Sequence, residues 1–205
     1  MVAGGRGKAG GVVLVKTGPQ ARAAIQALLG SRLVTAQTSR QGALVQRVLV
    51  EAATVIEQEF YVGLVLDRRR ECPVLLASRQ GGVEIEALAA RAPEAILREP
   101  VDVALGLHPY QARKVIYALG LTEPKVVEQG VALLLNLSRL FLEMGGTLAE
   151  INPLALTAAR GLVAIDAKLT LDDSSVGRHP ELVGWAAEEP PDSREAAARA
   201  VGINY

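Results

Sequence analysis

Aromatic residues, cysteine and net charge are all scarce in this chain of 205 residues. Aromatics make up 3% of the chain, so no clustered platform for stacking nucleic-acid bases is visible, and aliphatic side chains must fill the core. The formal net charge is zero, which argues against a nucleic-acid partner bound by a basic face. The single cysteine, Cys72, permits no internal disulfide and no cysteine-rich metal site, which is typical of a reducing compartment.

Long apolar runs are missing as well. No segment reaches the roughly 18 apolar residues of a membrane span, and the N-terminus has no apolar signal core. We therefore expect a soluble protein without a membrane partner, in the cytoplasm by preference or otherwise in an organelle matrix. Hydrophobic residues make up 50% of the chain, which is enough for one sizeable core or two small lobes.

The spacing of the apolar residues predicts a mixture of strands and helices. Strands are predicted at residues 12–16, 44–50, 55–66 and 73–78, and helices at residues 19–29, 83–92, 109–119 and 123–144. Residues 93–109, which contain three prolines, are predicted to form a loop. The first long strands meander along the chain, and we expect them to pair antiparallel.

A hairpin with its turn at residues 158–160 is predicted near the end of this pattern. In that register Asn152 lies opposite Asp166 and Glu150 lies opposite Lys168, and all four side chains share one face. An amide oxygen across from a carboxylate, beside a second carboxylate, is an oxygen-only cluster that a hard cation such as Mg²⁺ accepts. The alternative is an ion pair and a hydrogen bond on a solvated face.

The chain opens with a glycine-rich segment, AGGRGKAGG, at residues 3–11. Gly5, Gly7 and Gly10 match the G-x-G-x-x-G spacing, but a strand is predicted after the segment and none before it, which excludes a dinucleotide fingerprint. What is left is a flexible loop with Arg6, in which glycines let backbone N–H groups approach anionic oxygens. The alternative is a disordered basic arm.

Three acids, Glu51, Glu57 and Glu59, interrupt apolar strand patterning. A buried carboxylate needs hydrogen-bond donors, so such acids either bind hydroxyl or amine groups of a ligand or face solvent. The solvated position is preferred for Glu57. No acid, histidine and nucleophile combine into a catalytic arrangement, and we predict no catalytic residue in this chain.

Seven short motifs together resemble the β subunit of succinyl-CoA synthetase. They are AGGRGKAGG (residues 3–11), LVEAAT (49–54), GGVEIE (81–86), PYQAR (109–113), EINPLALT (150–157), DAKLTLDD (166–173) and RHPEL (178–182). Each motif is modest alone, but their order and spacing match the family over nearly the whole chain.

The resemblance implies an ATP-grasp fold, an α+β architecture in which two lobes, mainly antiparallel sheets with flanking helices, clamp a nucleotide. Residues 1–50 correspond to a small lobe that is incomplete at its N-terminus. Residues 51–205 correspond to the large lobe and a tail toward a CoA-ligase domain that is absent. The implied reaction converts succinate, CoA and a nucleoside triphosphate to succinyl-CoA, the diphosphate and phosphate, in the citric acid cycle. In that family the phosphoryl group passes through a phosphohistidine on a partner α subunit.

The resemblance also implies nucleotide contacts. Gly5, Arg6 and Gly7 match the family's glycine-rich phosphate loop. Glu51 and Thr54 match the linker between the lobes that hydrogen-bonds the base. The nucleotide is ATP/ADP or GTP/GDP, and the residues do not separate the two.

The acid that binds the ribose in the family corresponds to Glu59, and the two Mg²⁺ ligands correspond to Asn152 and Asp166. The hairpin register had already placed these last two residues face to face. For Glu150 and Lys168 we carry over no ligand role, and our hypothesis is that they order the metal site.

Family members extend beyond this chain at both ends, so we expect a metal and nucleotide platform that does not turn over alone. One alternative is a non-catalytic ATP-grasp module that acts by assembly. Another is the equivalent part of a related acyl-CoA ligase, of the malate–CoA ligase or citrate-cleaving type.

Overall fold

A computed structural model of the chain describes residues 6–7, 9–35, 38, 40–182, 198 and 201, with only the backbone described at residue 176. Gly5, the first residue of the expected phosphate loop, lies outside the described residues. The pattern of contacts divides the chain into two units, Met1–Thr54 and Val55–Tyr205. No helix in the described part of the chain is long and apolar enough to cross a membrane.

The first unit contains one helix and two very short strands among its described residues. They are α1 (Gly18–Leu28), β1 (Arg32–Leu33) and β2 (Ala43–Leu44), and the two strands pair antiparallel. The Thr17 side chain accepts a hydrogen bond from the Gln20 backbone N–H at the start of α1, which confirms the predicted helix.

The strand predictions in this unit are wrong at residues 12–16 and largely wrong at residues 44–50. Residues 12–16 have no regular secondary structure, and only Leu44 of the second segment belongs to a strand. β-Branched residues favour a strand only where a neighbouring chain supplies the hydrogen bonds. Within the described residues the only ladder of this unit joins β1 and β2, and Leu14 is 78% exposed.

Six strands in the described part of the second unit form one antiparallel sheet, in the order β5-β4-β3-β6-β7, with β8 also paired to β6. The elements of this unit are β3 (Ile56–Asp67), β4 (Cys72–Ser78), α2 (Ile85–Arg91), β5 (Leu97–Pro100), α3 (Pro109–Ala118), α4 (Pro124–Glu143), β6 (Gly146–Thr157), β7 (Leu162–Ala164), β8 (Ala167–Leu171) and α5 (Asp173–Val176). The predicted strands at residues 55–66 and 73–78, and the helices predicted at residues 83–92, 109–119 and 123–144, are confirmed.

Helices α3 and α4 pack against one face of this sheet and form the main core with it. Alternation along β3 sends Phe60, Val62 and Leu64 into that core, as the sequence predicted. Leu134, on α4, is fully buried in the same cluster. The opposite face of the sheet carries Glu150 together with further apolar side chains, and the candidate site lies there.

The predicted hairpin is present with the expected register. Glu150 pairs with Lys168 across β6 and β8, and the turn falls at residues 158–160. Arg160 has a φ of 56° in this turn, and its guanidinium contacts the carboxylates of Glu57 and Glu123 at 3.1 and 2.8 Å. These ion pairs are exposed, so they orient the turn more than they stabilise the fold.

One irregularity in β6 alters the simple alternation. The pairing with β3 shifts by one residue between Phe60 and Val62, so that Tyr61 lies opposite both Asn152 and Pro153. The Asn152–Pro153 peptide bond is cis. A bulge of this kind re-aims side chains on the strand that carries the extra residue. In this chain the bulge lies at Asn152, one of the residues predicted to bind metal.

The prediction of a loop across residues 93–109 is wrong in part. A 3₁₀ turn at Pro93–Ala95 is followed by β5, which pairs antiparallel with β4. Proline suggested a loop, but Pro100 ends an edge strand, where a missing N–H leaves no ladder bond unmade. The buried carboxylate of Glu99 then connects β5 to α3, because it accepts a hydrogen bond from Gln111 (3.0 Å) and contacts Lys114 (2.7 Å).

Replacing Gln111 with methionine is expected to lower the free energy of unfolding by about 2 kcal/mol. The variant preserves side-chain bulk but removes the amide donor to Glu99 and to the Pro100 carbonyl, and leaves the His108 N–H without its acceptor. The measurement is chemical denaturation followed by circular dichroism. Gln129→Met is the matched control, since this exposed amide accepts one hydrogen bond, and a loss below about 1 kcal/mol is expected. Equal losses in the two variants would contradict the structural role of Gln111.

Candidate functional site

The candidate site lies on the sheet face opposite the α3/α4 core. Gly63 pairs with Glu150, and Glu150 pairs with Lys168, so these three positions point to one side of three neighbouring strands. Tyr61 precedes Gly63 by two residues and lies on the same side. A Cβ atom on Gly63 would lie 2.7 Å from the Tyr61 hydroxyl oxygen, so the absent side chain gives the tyrosine room to lie across the sheet.

Asn152 and Asp166 lie next to each other, as the hairpin register predicted. The Asn152 backbone N–H donates to the Asp166 carbonyl oxygen at 3.1 Å. One oxygen of the exposed Asp166 carboxylate accepts a hydrogen bond from the Ala167 N–H at 3.1 Å. An amide oxygen and a carboxylate therefore occupy facing positions on β6 and at the start of β8, and both are hard oxygen donors.

The Asn152 side chain is fixed by a loop from another part of the sequence. Its Oδ1 atom accepts a hydrogen bond from the Gly82 backbone N–H at 2.8 Å, and its Nδ2 atom donates to the Val83 carbonyl at 2.9 Å. Nδ2 also lies 3.5 Å from a carboxylate oxygen of Glu150. An amide oxygen has two lone pairs, so the bond from Gly82 leaves one for a metal ion.

Glu59, the acid expected to bind a ribose, lies beside the same loop. Its backbone carbonyl accepts a hydrogen bond from the Gly81 N–H at 3.1 Å. Its carboxylate lies directly against Gly82, in the space that a side chain at that position would occupy. The loop at residues 81–83 thus brings Glu59 and Asn152 together, and Asp166 is bound to Asn152 through the backbone.

The electrostatic environment of this face is acidic. Burial raises the pKa of the Glu150 carboxyl, the hydrogen bond from Asn152 acts in the opposite direction, and the charge of Glu86 raises the pKa further. Burial also raises the pKa of Tyr61, and the negative charges of Glu150 and Glu86 act in the same direction. Such a face favours a cation. Within the described residues, however, no three or more histidine, cysteine or acidic side chains form a metal cluster.

The remaining predicted residues belong to the first unit. The Arg6 carbonyl accepts from the Gly11 N–H at 2.8 Å, and the Gly7 carbonyl accepts from the Gly10 N–H at 3.2 Å, which makes this segment a tight turn. Gly10 has a φ of +78°, in the left-handed region that favours glycine.

Glu51 and Thr54 are exposed in a segment without regular secondary structure at the end of the first unit. The apolar neighbours Leu49 and Val50 are also exposed, at 83% and 61%. Within this unit, therefore, the two residues expected to contact the base lie on an accessible stretch of backbone.

Sequence reasoning missed the partners of Asn152. Gly82 and Val83 contact it through backbone groups, which leave no trace in residue type, and they lie 70 and 69 positions away along the chain. The adjacent glycines at positions 81 and 82 are the signal that was present, because they indicate close approach of backbone to another group.

A family model of the ATP-grasp domain matches residues 1–156 of this chain. The chain belongs to the ATP-grasp family. The α+β architecture with antiparallel sheets and flanking helices, expected from the sequence, is thereby confirmed.

Curated relatives of this ATP-grasp chain include several succinate–CoA ligase [ADP-forming] β subunits. This chain is 44% identical over 203 residues to the succinate–CoA ligase [ADP-forming] subunit beta of Wolinella succinogenes. It is 47% identical over 203 residues to the same subunit of Thioalkalivibrio sulfidiphilus. Each alignment covers 99% of this chain and 52% of the relative. The resemblance inferred from the motifs is confirmed, and the chain spans about half the length of the curated relatives it matches.

Solved structures with the same fold include ATP citrate lyase from Methanothrix soehngenii in complex with citrate and coenzyme A. The TM-score is 0.61 at 20% sequence identity, and the match covers 98% of this chain and 45% of that chain. At this identity the likeness concerns the fold of the ATP-grasp domain alone.

Proposed function

We propose that this chain is the nucleotide- and Mg²⁺-binding part of a succinate–CoA ligase β subunit. The observation that carries the proposal is the pair of Asn152, on β6, and Asp166, immediately before β8, in a chain 44% identical to subunits of that name. The proposed reaction converts succinate, CoA and a nucleoside triphosphate to succinyl-CoA, diphosphate and phosphate. The proposed partner is an α subunit that carries the phosphorylated histidine, and the proposed location is the cytoplasm.

The donor set on the sheet face fits Mg²⁺. The second lone pair of the Asn152 amide oxygen and the Asp166 carboxylate offer two hard oxygens on adjacent strands. Mg²⁺ is typically bound in proteins by one or two carboxylates together with substrate phosphates and water, so two protein ligands are enough. When bound, the ion neutralises charge that develops on the phosphate oxygens.

The other residues act on the nucleotide in this proposal. Glu59 accepts hydrogen bonds from ribose hydroxyl groups, while Glu51 and Thr54 contact the base. In the first unit, the Arg6 guanidinium and the backbone N–H of Gly7 bind phosphate oxygens. Chemistry of this kind depends on positioning and on stabilisation of negative charge, because phosphoryl transfer needs little covalent participation by the protein.

Calorimetric titration with ADP in the presence and absence of Mg²⁺ tests this proposal. We expect a dissociation constant between about 1 µM and 1 mM with Mg²⁺ present, and affinity about a hundredfold lower in EDTA. A parallel titration with GDP determines the base preference. No binding of either nucleotide, or binding that is indifferent to EDTA, would contradict the proposal.

A turnover assay separates the ligase from a non-catalytic module. The chain is mixed with a succinate–CoA ligase α subunit, and formation of succinyl-CoA from ATP, CoA and succinate is followed. Product formation supports the ligase assignment, and replacing succinate with malate or citrate distinguishes the related acyl-CoA ligases. Intact Mg²⁺·ADP binding without product supports the module.

A further inference from the structure

The loop at residues 81–83, between β4 and α2, has three anchors on the face described above. Gly81 donates its backbone N–H to the Glu59 carbonyl, Gly82 donates to the Asn152 amide oxygen, and the Val83 carbonyl accepts from the Asn152 amide nitrogen. The loop thus contacts both β3 and β6 through backbone groups. It joins the acid expected at the ribose to the amide expected at the metal.

Glycine is required at position 82 for two independent reasons. Its φ is +66°, which a side chain with a Cβ atom adopts with strain. The Glu59 carboxylate also fills the space in which that Cβ atom would lie. Any larger residue at this position therefore displaces the loop, the Glu59 carboxylate, or both.

The hydrogen bonds of Asn152 explain why an amide suits this position better than a carboxylate. Position 152 must accept from the Gly82 N–H and also donate to the Val83 carbonyl, 2.9 Å away. Only a side chain with both an oxygen and an N–H group does both. An aspartate would turn a carboxylate oxygen toward the Val83 carbonyl oxygen and toward Glu150, and would repel both.

We propose that Gly82 is a positioning residue that fixes the Asn152 amide oxygen toward the metal and the Glu59 carboxylate toward the nucleotide. Through this one residue the loop at 81–83 couples the two binding functions, so that a change in the loop weakens both together. The metal and nucleotide part rests on the proposed function. The two hydrogen bonds between Asn152 and the loop, which we call the lock, do not rest on it, because they join groups within the chain.

Two variants test the lock between Asn152 and the loop and the coupling between metal and nucleotide binding. Asn152→Asp preserves an oxygen ligand and adds negative charge, which alone would strengthen Mg²⁺ binding. We expect instead about tenfold weaker Mg²⁺ binding and at least about tenfold faster hydrogen exchange at the Gly82 amide, because the lock opens. Gly82→Ala is expected to weaken binding of Mg²⁺ and of ADP by a similar factor of about ten each.

Matched controls separate positioning from general damage. Gly106→Ala adds the same Cβ atom at a φ of +72°, but its nearest atom is Leu142 Cδ1 at 3.6 Å, so both affinities should be unchanged. Asp166→Asn weakens Mg²⁺ binding through loss of charge and should leave exchange at the Gly82 amide as in the unsubstituted chain. Exchange is measured by NMR in the metal-free chain, and affinities by calorimetry.

Three results would overturn the positioning role. They are Mg²⁺ binding in Asn152→Asp as tight as in the unsubstituted chain, unchanged exchange at the Gly82 amide in that variant, and unchanged affinities in a folded Gly82→Ala chain. If the unsubstituted chain binds neither Mg²⁺ nor ADP, the proposed function and the coupling both fail. Hydrogen exchange at the Gly82 amide of the metal-free chain then tests the hydrogen bonds between Asn152 and the loop by itself.

Discussion

Replacing both Asn152 and Asp166 with alanine is expected to weaken Mg²⁺-dependent ADP binding by about a hundredfold. Each ligand oxygen is assigned about 1.4 kcal/mol of binding free energy, a factor of ten, and the two act on the same ion. The Asn152 change also releases the loop at residues 81–83, so its single variant should lose more than the Asp166 single variant. Calorimetry with and without Mg²⁺ measures both effects.

The control for this double variant changes the same residue types away from the site. Asn136, on α4, and Asp173, in the first turn of α5, are both exposed, and their replacement by alanine should leave ADP affinity within about twofold. The expected signature is specific: the double variant should bind ADP in Mg²⁺ no better than the unsubstituted chain does in EDTA. Undiminished Mg²⁺-dependent binding in the double variant would reject these two residues as metal ligands.

The pairing of Asn152 with Asp166 was predictable because its geometry is local. Asn152 and Asp166 belong to one hairpin, and a hairpin register follows from the turn position and the period of two along each strand. The observed pairs, such as Glu150 with Lys168, have the predicted offset. Strands β3 and β4 were also predictable from local pattern, since each contains a short apolar run that ends at polar, turn-forming residues.

The wrong predictions concern segments whose structure depends on contacts between distant parts of the chain. Residues 12–16 have strand-forming side chains, yet in the described structure they belong to no ladder. Residues 97–100 looked like loop, yet they pair with β4. The loop that fixes Asn152 depends on such distant contacts too, since the Gly82 backbone N–H and the Val83 carbonyl leave no pattern in residue type.

Replacing Gly81 with alanine is expected to lower the free energy of unfolding by about 3 kcal/mol, and the thermal midpoint by roughly 6–12 °C. The added Cβ atom would lie 2.5 Å from the backbone nitrogen and oxygen of Phe60. Phe60 is fully buried in the core on β3, so its backbone does not yield without disturbing the sheet. The neighbouring hydrogen bond from Gly81 to the Glu59 carbonyl is expected to break as well. Thermal unfolding followed by circular dichroism measures the loss.

Gly177→Ala is the matched control, because no atom lies within 4 Å of its added Cβ and its φ is −61°, so stability should change by less than about 1 kcal/mol.

The comparison between Gly81→Ala and Gly82→Ala separates stability from binding. A Cβ atom at position 82 meets the end of the flexible Glu59 side chain, which moves aside, whereas one at position 81 meets backbone. Gly81→Ala should therefore mainly reduce stability, and Gly82→Ala should mainly reduce affinity. Similar stability losses in the two variants, together with unchanged Mg²⁺ and ADP affinities in Gly82→Ala, would show that the loop serves the fold alone.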